Sequence, residues 1–396
     1  MELRLDAAAW RARPGMAALL DALGAGEGLT RYVGGAVRDE LLGLPVNDID
    51  LATRLRPDAV AERLQTAGIK AIPTGIDHGT ITAVSKGQIV EVTTLRRDVS
   101  TDGRRATVAF TDDWQEDAAR RDFTINALFA DPVSGEVQDY FGGRDDLKAR
   151  RVRFIGDPNQ RIAEDHLRIL RFFRFHARFG TGEPEAAGLD ACTRRAKDLM
   201  ALSRERIADE LLKLLGVPDP SPTVAIMLQR EILAPVLPEI TPDRLRNLKV
   251  LVSAERAAGT EPDPLRRLSA LLPADPLVAE KIAARLRLSN RARKRLAAAA
   301  DRSLASSPQA LVYLTGSETA ADRLLLAGRP DDAIAVADWP VPRLPIGGGA
   351  LIARGLAPGP AVARTLKQIE QKWLEAGFPE GEQFDRIVAD AVRSAP

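Results

Sequence analysis

RYVGGAVRDELLGLPVNDIDL, residues 31–51, is the stretch on which the reading of this chain turns. A β-rich run over residues 29–33 feeds Gly34 and Gly35. A short amphipathic segment follows over residues 36–42, and the chain returns through Asp48, Ile49, Asp50 and Leu51. Side chains alternate along a strand, so the return, read as a strand, puts Asp48 and Asp50 on one face and Ile49 and Leu51 in the core. Two carboxylates in one small volume repel, and one must stay protonated unless a cation lies between them. Mg²⁺ resolves the conflict by taking one or two carboxylates together with substrate phosphates, which points to phosphoryl or nucleotidyl transfer. Gly34 and Gly35, without Cβ atoms, let the backbone approach a triphosphate, and Arg38 one helical turn later is placed to pair with its oxygens. Each piece alone has a plainer reading, Asp-x-Asp as a solvated strand end and Gly-Gly as a turn.

Composition sets mild bounds. A chain of 396 residues, 45% hydrophobic and 28% charged, is long enough for two or more domains and is not disordered. The single cysteine, Cys192, excludes an intrachain disulfide framework and fits a reducing compartment. The first twenty residues hold no uninterrupted apolar core for a signal peptide, and no apolar run reaches membrane-spanning length, so a cytoplasmic protein without membrane partners is expected. No Gly-x-x-x-x-Gly-Lys-Ser/Thr motif occurs, and Gly34-Gly35 does not extend to a dinucleotide fingerprint.

Residues 57–68 read as a helix with Pro57 near its start and Gly68 at its stop. The β-rich runs 81–84 and 89–93 flank a turn and read as a hairpin, in which Glu91 has apolar neighbours on both sides and needs a partner. Residues 96–110, with four arginines among Gly, Asp and Ser, suit a mobile basic loop better than a packed element. The net charge of +1 does not suggest nucleic acid, but residues 144–178 hold ten Lys/Arg against five Asp/Glu. A second basic cluster, Arg285, Arg287, Arg291, Arg293, Lys294 and Arg295, reads equally as a seat for RNA backbone or as a solvated helix face. A helical pattern spans residues 6–23, and residues 340–359 read as a turn-rich linker before a last helix over 360–376.

Taken together, Gly-Gly-x-x-Arg-Asp, a short helix and Asp-x-Asp resemble the signature of the polymerase-β-like nucleotidyltransferases. In detail they resemble the class II branch, which holds CCA-adding tRNA nucleotidyltransferases and bacterial poly(A) polymerases. Residues 120–127, RRDFTINA, resemble that family's RRD-x-T-x-N-A block, and Glu164-Asp165-His166-Leu167-Arg168 resembles its nucleotide-selecting motif, with His166 where members commonly have proline. Residues 203–207, SRERI, resemble a neck motif that braces the selecting helix.

The resemblance implies an α+β fold, with a small mixed β-sheet catalytic head over residues 1–142. An all-α neck (143–216), body (217–338) and tail (339–396) would follow. It implies Mg²⁺ held by Asp48, Asp50 and Glu91, Glu91 otherwise being an exposed charge on an edge strand. It assigns the nucleotide to Gly34, Gly35, Arg38, Arg121, Asp122, Asn126, Asp165, Arg168, Arg171 and Arg174. Arginines neutralise the triphosphate in this scheme, and Asp122 accepts from a ribose hydroxyl. Asp165 and Arg168, side by side three residues apart on one helix, would read the amino group and adjacent acceptor that cytosine and adenine share. Phe172, Phe173, Phe175 and Phe179 of that helix are expected in the core. The implied activity is template-independent addition of CCA to the tRNA 3′ end from CTP and ATP. Poly(A) polymerase, partial CC- or A-addition, and an inactive RNA-binding protein of the same fold stand as alternatives. With only three histidines in the chain, no appended phosphohydrolase metal site is expected.

Overall fold

The computed structural model describes residue 5, residues 9–102 and residues 105–395. The chain forms two compact units, Met1–Glu210 with Arg230–Val236, and Leu211–Gln229 with Leu237–Pro396.

The first unit opens with α1 (Met16–Ala22), β1 (Thr30–Val33), α2 (Gly35–Leu41), β2 (Asp50–Thr53) and α3 (Pro57–Thr66). It continues through β3 (Lys70–Gly75), β4 (Thr80–Ser85), β5 (Gln88–Thr94), β6 (Arg96–Asp102), β7 (Arg105–Phe110), α4 (Trp114–Ala119), β8 (Leu128–Ala130) and β9 (Val137–Asp139). Seven strands make one sheet in the order β3-β4-β5-β2-β1-β8-β9. It is mixed, as expected: β2 and β5 run parallel, and the other neighbours are antiparallel. Val90 and Val92 are buried while Glu91 between them is exposed, so the pleat of β5 presents Glu91 on the open side. The β4–β5 hairpin turns through Lys86 and Gly87, both at positive φ, which matches the right-handed twist of the strands.

Three local expectations change. Residues 6–8 of the expected first helix lie outside the described residues, and the rest of the pattern breaks into a 3₁₀ turn (Ala9–Ala12) and α1, because Pro14 interrupts it and Gly15 takes φ 86°. A side chain at Gly15 would also meet Ser85, whose hydroxyl donates to the Gly15 carbonyl at 2.9 Å. Residues 96–110 are not an irregular loop: β6 and β7 pair antiparallel with a register shift between Asp98 and Ser100. The β-branched residues Val99, Thr101, Thr107 and Val108 favour these strands, and the arginines between them obscure the pattern; residues 103 and 104 lie outside the described residues. Finally, β2 begins at Asp50, and Asp48 lies in the segment before it.

Helices then take over: α5 (Gly143–Lys148), α6 (Pro158–Glu164), α7 (Arg168–Phe179), α8 (Ala186–Arg194) and α9 (Arg204–Leu215). The aromatic face of α7 is core, as expected. Phe172 stacks on Phe154 at 5.4 Å, and Phe175 packs on Phe123 and Phe179.

In the second unit the described residues form only helices: α10 (Ser221–Gln229), α11 (Leu245–Ala257), α12 (Pro264–Leu271), α13 (Pro276–Arg285), α14 (Asn290–Ala300), α15 (Pro308–Thr315), α16 (Ser317–Leu326) and α17 (Pro330–Ala335). They end with α18 (Gly348–Ala353), α19 (Pro360–Glu375) and α20 (Gly381–Arg393). α19 is the last helix expected from sequence, and α20 extends beyond it. Both pack around Trp373, Ile369, Phe384 and Val388.

Candidate active site

β1 ends at Val33 and the chain turns through Gly34, at φ 71°, into α2. With ψ −120° this is a backbone conformation that L side chains rarely adopt, so glycine serves the turn that brings the strand end beside Arg121. Where they meet, a cleft of about 520 Å³ opens in the first unit. One wall carries Gly34, Gly35 and Asp50; another carries Arg120, Arg121, Asp122 and Asn126; α7 and the turn before it supply Asp165, Arg168, Arg171 and Phe175. Ten of the thirteen residues singled out from sequence line it, counted as Gly34, Gly35, Arg38, Asp50, Arg121, Asp122, Asn126, Asp165, Arg168 and Arg171. Arg96 and Arg120 line it as well. Arg96 was hidden by its place in a segment read as a loop, whereas Arg120 was visible as the partner of Arg121 in the RRD block.

Asp50 stands opposite Glu91 in the parallel β2–β5 register. Its carboxyl is pushed up to about 6, first by burial and then by Glu91, with Asp48 adding to the rise and Arg121 opposing it. Such mutual repulsion among oxygen ligands is what a divalent cation relieves, and the carboxylate set suits a hard cation. Asp48 and Glu91 are exposed and stand outside the cleft lining. No three Asp, Glu, His or Cys side chains among the described residues close around a single ion position. The described side chains alone thus do not form a closed ion site in this structure.

Several arginines already hold protein partners. Arg38 is 6% exposed, pairs with Asp39 at 2.7 Å, donates to Asn126 Oδ1 at 2.5 Å and lies over the Phe179 ring. Arg171 grips Asp122 through Nε at 2.7 Å and Nη2 at 2.6 Å, so the Asp122 oxygen expected to meet a ribose is paired, and Asn126 holds the other. Arg174 donates to Glu210 at 2.6 Å and lies over Phe175; it does not line the cleft, in contrast to its expected role on the triphosphate.

The base-reading pair is arranged differently from one helical ridge. α6 stops at Glu164, Asp165 is extended (φ −152°, ψ 108°), and α7 begins at Arg168. Asp165 accepts from Arg206 at 2.8 Å, and Arg168 pairs with Glu164 at 2.5 Å. A break between two helices thus presents both groups to the cleft. Arg206 belongs to the neck motif and braces this turn, as the resemblance implies.

Comparison with known proteins agrees with this geometry. Residues 30–153 match the family model described as the Poly A polymerase head domain, and residues 184–244 match that described as a probable RNA and SrmB-binding site of polymerase A. Mitochondrial CCA tRNA nucleotidyltransferase 1 of Mus musculus is 36% identical over 367 residues, 88% of this chain and 83% of the relative. The CCA-adding enzyme of Oceanobacillus iheyensis is 44% identical over 185 residues, 46% of this chain and 45% of its own. Among solved structures, the Bacillus stearothermophilus CCA-adding enzyme in complex with CTP superposes with a TM-score of 0.71 at 26% identity, covering 96% of this chain and 98% of that one. Fold and cleft define a template-independent nucleotidyltransferase, a class whose chemistry uses a divalent metal ion. Within that class, the chain belongs to the family of CCA-adding tRNA nucleotidyltransferases. Among the described residues no helix is long and apolar enough to cross a membrane.

Proposed function

We propose that this protein adds C, C and A to the 3′ end of tRNA without a nucleic-acid template, taking CTP and ATP and releasing pyrophosphate. The observation that carries the proposal is a single cleft joining a half-buried, repelled carboxylate (Asp50), an arginine wall and a carboxylate–guanidinium pair (Asp165, Arg168). Asp48, Asp50 and Glu91 would hold Mg²⁺. When bound, the ion offsets phosphate charge and lowers the proton affinity of the terminal 3′ hydroxyl. Gly34 and Gly35 leave room for the triphosphate, and Arg121 and Arg171 face it with fixed positive charge. Arg38 and Asn126 act on that site as a braced pair, and Arg174 acts through Glu210 and α7.

Selection is assigned to the break before α7. The Asp165 carboxylate accepts from the exocyclic amino group of cytosine or adenine, and Arg168 donates to the neighbouring ring nitrogen or carbonyl. Uracil and guanine present the opposite order and leave these groups unpaired. We assign catalysis to the head (1–142), nucleotide selection and the RNA-backbone contacts of Lys148 and Arg150 to the neck (143–216), further RNA binding to the body (217–338), a helical tail to residues 339–396, and the whole to the cytoplasm.

The test is incorporation of each of the four nucleotides, singly and combined, into a defined tRNA lacking its 3′ end. Two C and one A followed by arrest is the expected outcome. Long A tails would instead indicate a poly(A) polymerase, and A addition confined to tRNA ending in CC a partial enzyme. No incorporation at all would indicate an RNA-binding protein.

A further inference from the structure

Two cleft-lining arginine side chains and the backbone N–H of a third arginine converge on one carboxylate that the proposed chemistry does not use. Asp117 lies in α4, three residues before Arg120 and four before Arg121, so a single helical turn carries both guanidinium groups back over it. Its side chain is 1% exposed. Oδ1 accepts from Arg120 Nε at 2.7 Å and from the Arg96 backbone N–H at 3.2 Å. Oδ2 accepts from Arg121 through Nη2 at 3.0 Å and Nε at 3.3 Å. Arg96 opens β6, and its side chain shares the cleft with those of Arg120 and Arg121.

Burial alone would raise the Asp117 carboxyl, yet Arg121 and Arg120 hold it below its usual range, so it stays an anion at working pH. Arg120, in turn, is pushed down to about 10 by burial, with Arg121 and Arg96 adding repulsion that Asp117 opposes. Two cations on one anion, with the Arg96 charge nearby, leave positive charge in excess, the complement of a polyphosphate. Without the anion, Arg120 and Arg121 would repel and spread.

We infer that Asp117 is a positioning residue for nucleotide binding: it sets Arg120 and Arg121 as one array facing the triphosphate and, through the Arg96 N–H, ties that array to the root of the β6–β7 hairpin. The inference rests on the cleft being the nucleotide site. Because CTP and ATP share the triphosphate, the array serves both alike, and it has no part in choosing the base.

The experiment compares wild type, Asp117→Ala and Asp117→Asn in steady-state incorporation of CTP, ATP and UTP into defined tRNA, with thermal unfolding of each protein. In Asp117→Ala, KM for CTP and for ATP should rise together by about tenfold or more, with kcat changed by less than about threefold. The CTP-to-UTP preference should be unaltered. Asp117→Asn keeps an oxygen for the Arg96 N–H but no charge, and should fall between alanine and wild type. A loss confined to kcat, unchanged KM in both variants, or altered base preference would overturn the inference. So would failure of both variants to fold, which would assign Asp117 to stability alone. Wild-type protein that incorporates no nucleotide would overturn the reading of the cleft itself, a failure distinct from these.

Discussion

Asp50 sits where its own charge is opposed, by burial first and by Glu91 and Asp48 after it, and its carboxyl is lifted to about 6. Between its ordinary value of 3.8 and about 6 the folded protein binds more protons at this group than the unfolded chain does. The contribution of Asp50 to stability in ion-free buffer therefore falls as pH rises through that window. Cation binding needs the ionised form, so it weakens as pH falls through the same window. Added Mg²⁺ should thus raise Tm more at pH 7 than at pH 5. Asp50→Asn should lower incorporation by about a thousandfold or more while raising the ion-free Tm at pH 7, by about 2–4 °C per kcal/mol of repulsion removed. Thermal melts with and without Mg²⁺, beside a primer-extension assay, check both halves; near-wild-type turnover in the variant would sink the metal assignment. The carboxylates were legible because their spacing is local. The partners of Asp122 and Asp165 were not, since Arg171 and Arg206 stand 49 and 41 residues away in sequence and meet them only through folding.

At the scale of elements, the break between α6 and α7 explains how a chain with His166 can keep a turn where its relatives commonly have proline. Proline forces the preceding residue into the extended region, and Asp165 already occupies it at φ −152°, ψ 108°. His166 reaches the end of α6 by another route, its Nδ1 lying 2.9 Å from the Ile162 carbonyl. His166→Pro should therefore fold and keep both turnover and base preference within about twofold, the lost side-chain contact being worth about 1 kcal/mol. A collapse of selectivity would show that the imidazole itself shapes the pocket. Asp165→Ala should behave oppositely, costing about ten- to a hundredfold in preference for CTP over UTP with the metal carboxylates untouched. Unchanged preference would move selection elsewhere. Helical periodicity could not reveal this break, because the charged run from Glu164 to Arg168 fits a continuous helix as well as two. The β6–β7 hairpin is hard to read for a related reason: four arginines interrupt the β-branched residues Val99, Thr101, Thr107 and Val108 that favour its strands.

For the whole molecule the near-zero net charge conceals two basic regions, much of whose charge the fold pairs internally. In the second unit Arg295 lies on Asp322 at 2.8 Å and on Asp263 at 2.7 Å; Arg285 pairs with Glu239 and Arg293 with Glu280. Asp322 is 1% exposed and also holds Arg266, which with Arg267 grips the buried Glu255. Much of the cluster near Arg291 is thus paired within the helices, an arrangement invisible in sequence because its acids are scattered from Glu239 to Asp322. In the first unit Arg151 and Arg153 converge on the buried Asp146, while Lys148 and Arg150 stay exposed. Binding of tRNA should weaken steeply with salt, each phosphate contact adding about 0.7–0.9 to the log–log slope by counterion release. Replacing Lys148 and Arg150 together by alanine should reduce that slope, whereas Arg295→Ala should leave it unchanged. Arg295→Ala should instead lower stability by about 1.5–3 kcal/mol, because it strips one of two guanidinium partners from the buried Asp322, which keeps Arg266. Filter binding from low to physiological salt, with melts of the same proteins, separates the two roles. A smaller slope with an unaltered Tm in Arg295→Ala would transfer the RNA contact to the second unit's cluster and remove it from Lys148 and Arg150.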